Sequence, residues 1–300
     1  MTEINSKDDG PFHYNHARPN VAVDICSIGI IRDQIDFQNE PIDNPSSRLS
    51  VFITRKKASD PWGLPGGYMH FAEKPGRENE TKDGETIEVA IDRVKHREWP
   101  AYREIAGRVI NESMKYEVPI NEDFFVQARV LDRLDRDPRG RVLSIPFVTF
   151  VGFVDLQTIP EELSHVARWV PLDSNFGENG DYPLAYDHPN VIPGCYDTLL
   201  TEARTRVIGR NLVKDKVFDL QELIDLYEIL FDKRFERSNF RKQFIDKNVI
   251  ISTSETPLEA GKRRIGERFR FNESAYEEYK IKRDFAFNPR NKEKKVDAHE

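Results

Sequence analysis

Cysteine is nearly absent from this chain: Cys26 and Cys195 are its two. They are too few for a disulfide scaffold and too far apart in sequence for a zinc knuckle. That economy fits a reducing compartment, as does the lack of a secretory leader after Met1, and a cytoplasmic protein is expected. No run of about 18 apolar residues occurs, so no helix is expected to cross a membrane. Surplus positive charge is also missing. The formal net charge of -7 argues against nucleic-acid binding over the whole surface, but allows one basic module on an acidic body. No internal repeat is present.

What remains is enough for packed cores: 300 residues, 38% of them hydrophobic, or about two domains of ~150 residues each. Residues 1–18 are polar, contain Gly10 and Pro11, and read as a flexible arm. Val21 to Ile31 is almost continuously apolar, the mark of a strand buried on both faces. Leu49 to Arg55 reads as a second strand. Trp62-Gly63-Leu64-Pro65-Gly66-Gly67 follows, where a double glycine lets the backbone turn tightly and approach a ligand. Apolar spacing predicts helices over Glu85–Arg97 and Ala101–Tyr116, separated by Pro100. Strands are expected at Phe124–Leu131, Val142–Val154 and Ala167–Leu172, and a helix over Asn190–Ile208.

Composition changes near Gly209. Val217 to Phe231 has the spacing of an amphipathic helix. Arg237 to Lys247 predicts another, with Phe240, Phe244 and Ile245 inward and a cap from Ser238 or Asp232. Val249–Ile251 and Arg268–Phe271 then form a hairpin. Two short helices and a basic hairpin make a winged helix-turn-helix pattern. A charged stretch over 285–300 reads as a disordered tail.

Trp62 before Leu64-Pro65-Gly66-Gly67, with the strands around it, resembles the opening of the Nudix signature, and the likeness runs over residues 19–208. It implies an α+β fold: a Nudix-like α/β/α sandwich on a mixed sheet, then a winged helix over 211–284. The family's chemistry lies on a helix with Arg-Glu-x-x-x-Glu-Glu, whose clustered carboxylates hold Mg²⁺ to activate water against a pyrophosphate. Two registers are open here. In Glu104–Ser113 the carboxylate places hold Val109, Glu112 and Ser113, with an insertion over about 68–100; in Glu85–Glu98 they hold Val94, Arg97 and Glu98. Either keeps one carboxylate of three, so no catalytic residue and no cofactor are expected. If the domain were active, as a pyrophosphatase on ADP-ribose or nucleoside-diphosphate sugars, Glu112 would serve it and Mg²⁺ would be needed. Glu73, Glu78 and Glu80 are the carboxylates that loop substitution leaves open.

Asp135–Val142 and Leu184–His188 are similar to segments of the Nudix-related transcriptional regulators, which fuse a Nudix-like sensor, often for ADP-ribose, to a C-terminal winged helix. The resemblance implies a small-molecule effector, ADP-ribose or a sugar derivative. Arg55, Trp62, Gly66, Gly67, Arg139, Arg141, Asp187 and His188 are its candidate contacts, offering guanidinium forks, backbone and an aromatic face. Arg139 and Arg141 also suit a salt-bridged turn, and Asp187-His188 a helix start before Pro189.

Phe231 to Phe271 reverses the charge of the chain, with eleven basic residues against six acidic, a net +5. Such a reversal is the footprint of phosphate contact. Arg237, Ser238, Asn239, Arg241 and Lys242 stand near a helix start, where base edges are read, with Lys247 further on and Lys262, Arg263 and Arg264 at the wing tip. The expected partners are a palindromic double-stranded operator, the effector and a second copy of the chain.

Overall fold

The computed structural model describes residues 19–31, 49–55, 57–68, 91, 119, 121–138, 140–154, 159, 163–210, 216–253 and 267–289. The arm over 1–18, Glu112 with the rest of the two candidate Nudix helices apart from Ile91, Arg139 and the wing tip all lie outside the described residues.

Strands β1 (Asn20–Ile31), β2 (Leu49–Thr54), β3 (Gly66–Tyr68), β4 (Phe125–Gln127), β5 (Val142–Val154) and β6 (Ala167–Pro171) build one mixed sheet. Its order is β4-β5-β1-β2-β6, with β3 paired to the first half of β1. β1 runs parallel to β5 and antiparallel to β2 and β3, which places it in the middle of the sheet.

The continuous apolar run of β1 follows from that place, because both of its faces are covered. Cys26, Ile28 and Ile30 join Val51, Ile53, Val148 and Phe150 on one face. Helix α1 (His188–Thr205) closes that face with Val191, Ile192, Cys195 and Leu199. Ile25 and Ile31 point the other way, with Phe52 and Trp169, and Ile91 packs there from the sequence predicted as a helix. Each fully buried aliphatic side chain contributes about 1.5–3 kcal/mol. The mixed sheet with α1 on one face fits the expected sandwich.

Two boundaries differ from expectation. The strand expected over Phe124–Leu131 shrinks to β4, because the Asn121 side chain accepts from Asp123 N at 3.1 Å and winds a 3-10 turn at Glu122–Phe124. The helix expected from Val217 begins later, since β7 (Phe218–Asp219) comes first and the Asp219 carboxylate caps α2 (Leu220–Phe231) by accepting from Gln221 N at 2.9 Å.

α3 (Arg237–Ile245) is capped by neither Ser238 nor Asp232. Glu236 accepts from the backbone of Ser238 and Asn239 at 3.0 and 2.9 Å, while Asp232 adopts a left-handed conformation that ends α2. The turn between α2 and α3 is organised by buried Glu228, which accepts from Phe235 N at 2.7 Å and Arg234 Nη1 at 2.8 Å. β8 (Ile250–Thr253) and β9 (Arg268–Phe271) pair antiparallel as the expected wing, with β7 on the other edge of β9.

The domain does not stop at 284. After α4 (Glu273–Lys282), Phe285 and Phe287 are buried against the rings of Phe244, Tyr227 and Phe231. Two aromatic side chains thus pull into the core the first residues of a segment whose charge predicts disorder.

Candidate functional site

A buried polar cluster lies where β1, the glycine turn and the start of α1 meet. Asp24 interrupts the apolar run of β1 and is buried. Ser144 of β5 donates its hydroxyl to Asp24 Oδ2, and Arg136 Nη2 stands 3.9 Å from the same oxygen. Arg136, also buried, donates from Nε and Nη2 to the two Asp187 oxygens at 3.0 and 2.8 Å. Asp187 holds the N-cap position of α1 but makes no capping hydrogen bond, since its carboxylate faces Arg136 instead.

His188 completes the cluster. Leu64 N donates to Nδ1 at 3.0 Å, so the imidazole proton belongs on Nε2, 3.8 Å from Asp24 Oδ1. Burial pushes its pKa below the ordinary 6.5, and the Asp24 and Asp187 carboxylates oppose that shift. The Tyr68 hydroxyl donates to Asp137 Oδ2 at 3.0 Å, tying β3 to the residue after Arg136.

The double glycine serves this cluster. A Cβ on Gly66 would stand 2.2 Å from Asp24 Oδ1 and 2.9 Å from the Val23 carbonyl. The close approach expected toward a ligand is therefore, at Gly66, an approach to the chain's own β1.

Trp62 is not the open aromatic face expected. It is 6% exposed, with the Arg55 guanidinium 4.2 Å and that of Arg168 5.2 Å from its ring centre. Arg55 Nε donates to the His165 carbonyl at 2.6 Å, and burial, then Arg168, lowers its pKa. Ala185 N donates to the Trp62 carbonyl at 2.7 Å, joining this stack to the Leu184–His188 segment. A cleft of about 490 Å³ opens there, bordered by Pro61, Arg136, Tyr186, Asp187 and Asn190. Tyr186 is 45% exposed at its rim and holds φ +57°, a strained value for a non-glycine residue.

Of the predicted effector contacts, Gly66, Asp187 and His188 thus gather on Asp24, with Gly67 beside them in β3 opposite Val23. Arg55 and Trp62 form the neighbouring stack. Arg141 is exposed where β5 begins, beside Asn20. Arg139 lies outside the described residues. Sequence reasoning missed Asp24, Arg136, Ser144 and Arg168. The lone acid inside an apolar strand was the available signal for Asp24.

The second candidate surface is the start of α3. Phe240 and Phe244 are buried, and Arg237, Ser238, Asn239 and Lys242 are exposed. Ile245, expected inward, is half-buried at the helix end. Arg237 Nη1 donates to Gln221 Oε1 at 3.0 Å, and Arg241 Nη2 donates to both Glu267 oxygens at 3.0 and 3.2 Å. The Ser238 hydroxyl donates to the Glu236 carboxylate at 2.6 Å, so it belongs to the cap. Lys247 is placed differently from expectation. Its ammonium donates to the carbonyls of Phe285 and Ala286, a tie within the domain, and partial burial lowers its pKa. Lys262, Arg263 and Arg264 lie outside the described residues.

Residues 211–271 match the family model described as the NrtR DNA-binding winged helix domain. The C-terminal stretch is similar to that domain family. The ADPR responsive transcriptional repressor NtrR of Acinetobacter baylyi is 26% identical over 144 residues, 48% of this chain and 55% of the relative. The chain thus spans about half the length of that curated relative. A crystal structure of Shewanella oneidensis NrtR complexed with a 27mer DNA is similar with a TM-score of 0.50 at 18% identity, over 86% of this chain and 95% of that one. The two share a fold, a Nudix-like mixed-sheet domain followed by a winged helix.

Within the matched stretch, α2 and α3 form the helix pair and β8 and β9 the wing. Helix α3 offers guanidinium, amide and ammonium groups on one side while aromatic residues on the other fix it to the core. That division suits contact with bases and phosphates. The Asp24 cluster has a different chemistry: its charged groups face one another, and the cleft beside it presents a phenol, a guanidinium edge and a carboxylate. Among the described residues, no three His, Cys, Asp or Glu side chains are disposed to hold a metal ion, and no helix is long and apolar enough to cross a membrane.

Proposed function

We propose that this chain is a ligand-responsive transcriptional regulator. Its NrtR winged helix reads a DNA operator, and its Nudix-like domain senses ADP-ribose or a related sugar or nucleotide-sugar metabolite. The observation that carries the reading is the match of 211–271 to a DNA-binding domain whose α3 exposes Arg237, Asn239 and Lys242. The printed name of the A. baylyi relative supports ADP-ribose as the first effector to try. The regulator works in the cytoplasm as a homodimer on a palindrome, because a two-fold protein matches a two-fold site.

In this reading the Nudix-like domain does no hydrolysis and needs no metal. The rival function is a Mg²⁺-dependent pyrophosphatase on ADP-ribose or nucleoside-diphosphate sugars, with Glu112 as its carboxylate. One set of assays separates them. The full chain is used to select a duplex from a random-sequence pool, and binding to it is followed by gel shift with and without ADP-ribose. Salt-dependent binding that ADP-ribose changes is expected. Failure to retain any duplex removes the regulator reading. Turnover of ADP-ribose with Mg²⁺ or Mn²⁺ at ~1 s⁻¹ or faster, lost in Glu112→Gln, installs the rival.

A further inference from the structure

The short segment after α4 touches both domains. On one side it is bound to the end of α1: Phe285 N donates to the Thr205 carbonyl at 3.0 Å and Phe287 N to the Arg204 carbonyl at 2.7 Å. Arg283 pairs with Glu202 of α1, a carboxylate only 7% exposed that also lies 2.8 Å from Arg206 Nε. On its other side the segment is bound to α3. Gln243 Nε2 donates to the Asn288 carbonyl at 3.3 Å and Asn288 N donates back to Gln243 Oε1 at 2.9 Å. The Lys247 ammonium, just past the helix, donates to the carbonyls of Phe285 and Ala286. Between these two sets of bonds the Phe285 ring lies 5.2 Å from that of Phe244, and the Phe287 ring 5.9 Å from that of Phe240.

The backbone of this strap is held in an uncommon shape. Arg283 ends α4 in the left-handed conformation ordinary at a helix C-terminus, its N–H donating to the Tyr279 carbonyl at 2.9 Å. Ala286 holds φ +50° outside any helix, an angle that a non-glycine residue keeps where its surroundings over-determine it. Its carbonyl accepts from Lys247, and its neighbours Phe285 and Phe287 donate to the end of α1.

The far end of α1 is the Asp24 cluster. His188 and Asp187 stand at its first turn, and Glu202, Arg204 and Thr205 at its last. At 1.5 Å per residue the helix spans about 27 Å between them. A displacement at Asp187-His188 therefore reaches, through one rigid element, the residues that grip the strap.

We propose that the strap, residues 283–288, positions the DNA-reading helix α3 relative to α1, and through that tie makes DNA affinity respond to the occupant of the Nudix-like domain. Arg283 and Glu202 are positioning residues in this scheme; neither touches DNA or effector. An effector that binds one arrangement of α1 and the strap more tightly than another shifts the DNA-binding equilibrium by that differential affinity. The proposal rests on the regulator reading above.

The test uses the full chain, the duplex it selects from a random pool, and ADP-ribose as probe. Arg283→Asn removes the guanidinium while asparagine tolerates the left-handed backbone. Glu202→Gln loosens the same pair from the α1 side and serves if the first variant does not fold. Allosteric couplings commonly amount to ~5–150-fold, so saturating ADP-ribose is expected to change wild-type DNA affinity by at least about 5-fold. Both variants are expected to keep their ADP-ribose affinity by calorimetry and their ligand-free DNA affinity within about 2-fold, yet lose most of the response. A strap that merely holds the fold together would instead lower thermal stability and ligand-free DNA affinity, with the response unchanged. A full response in both variants, or loss of ligand-free DNA binding, overturns the proposal and leaves the regulator reading standing. A wild type that binds the duplex but ignores ADP-ribose removes ADP-ribose sensing and the proposal with it.

Discussion

At the scale of single residues, His188 is a buried group whose titration the fold controls. Its folded pKa lies below the 6.5 of a free side chain because burial disfavours the charged imidazolium. Above about pH 6.5 the folded and unfolded chains both hold it neutral, and its contribution to stability is complete. As pH falls below that value the unfolded chain gains a proton that the folded chain resists, so stability is lost until the lower folded pKa is passed. Thermal melts between pH 7.5 and 5 should therefore fall more steeply in the wild type than in His188→Gln, whose amide oxygen can still accept from Leu64 N. Equal slopes would mean that the imidazole is not held neutral. Gly66→Ala tests the same cluster sterically. Its Cβ would meet Asp24 Oδ1 and the Val23 carbonyl at impossible distances, and a loss of about 1–3 kcal/mol is expected by urea denaturation. This cluster was half legible in sequence. Asp187 and His188 stand next to a proline at a helix start, a local pattern. Asp24 meets Ser144 and Arg136 only through strand pairing across more than a hundred residues, and no local pattern carries such a contact.

At the scale of elements, α3 is where the aromatic periodicity fixes the outward residues. Phe240 and Phe244 are buried, which turns Asn239, Lys242 and the half-exposed Arg241 toward solvent. Asn239→Ala and Arg241→Ala are each expected to cost ~1–3 kcal/mol on the selected duplex and much less on random DNA. Arg241 must first leave Glu267, and both side chains of that pair are 43% exposed. Exposed pairs are worth at most about 1 kcal/mol, so the pair does not block base contact. Equal losses on selected and random DNA, measured by gel shift, would assign these side chains to backbone contact alone. The helix and the wing strands were readable because their apolar spacing is local. The cap was not, since serine at 238 is the better N-cap by propensity, yet Glu236 reaches two backbone amides from two positions earlier. The strap was hidden for another reason. Phe285 and Phe287 sit in a charged segment, and the site that receives them is assembled from α2, α3 and the end of α1.

At the scale of the whole molecule, the two domains share one core. The buried cluster that begins with Cys26 and Ile28 in β1 runs through Leu199, Ala203, Val207 and Ile208 to Leu223, Tyr227, Phe244 and Phe287 without a break. Polar ties reinforce it: the Tyr196 hydroxyl of α1 donates to the Leu230 carbonyl of α2 at 2.7 Å, Ile208 N donates to the buried Tyr227 hydroxyl at 3.2 Å, and Lys280 of α4 pairs with Asp123 at 3.0 Å. Domains joined by small polar interfaces move independently, whereas a large apolar interface holds them together. This chain falls in the second class. Calorimetry of the full chain should therefore give a single endotherm, with calorimetric and van't Hoff enthalpies equal. Tyr196→Phe keeps the ring in place and removes the hydroxyl, at an expected cost of about 0.5–1.5 kcal/mol. Because the apolar core stays continuous, that variant should still melt in one step, only earlier. Two separated endotherms in the wild type would show that the Nudix-like sheet and the winged helix fold independently. A second endotherm appearing only in Tyr196→Phe would instead place the cohesion of the molecule in that one hydrogen bond and not in the shared apolar core.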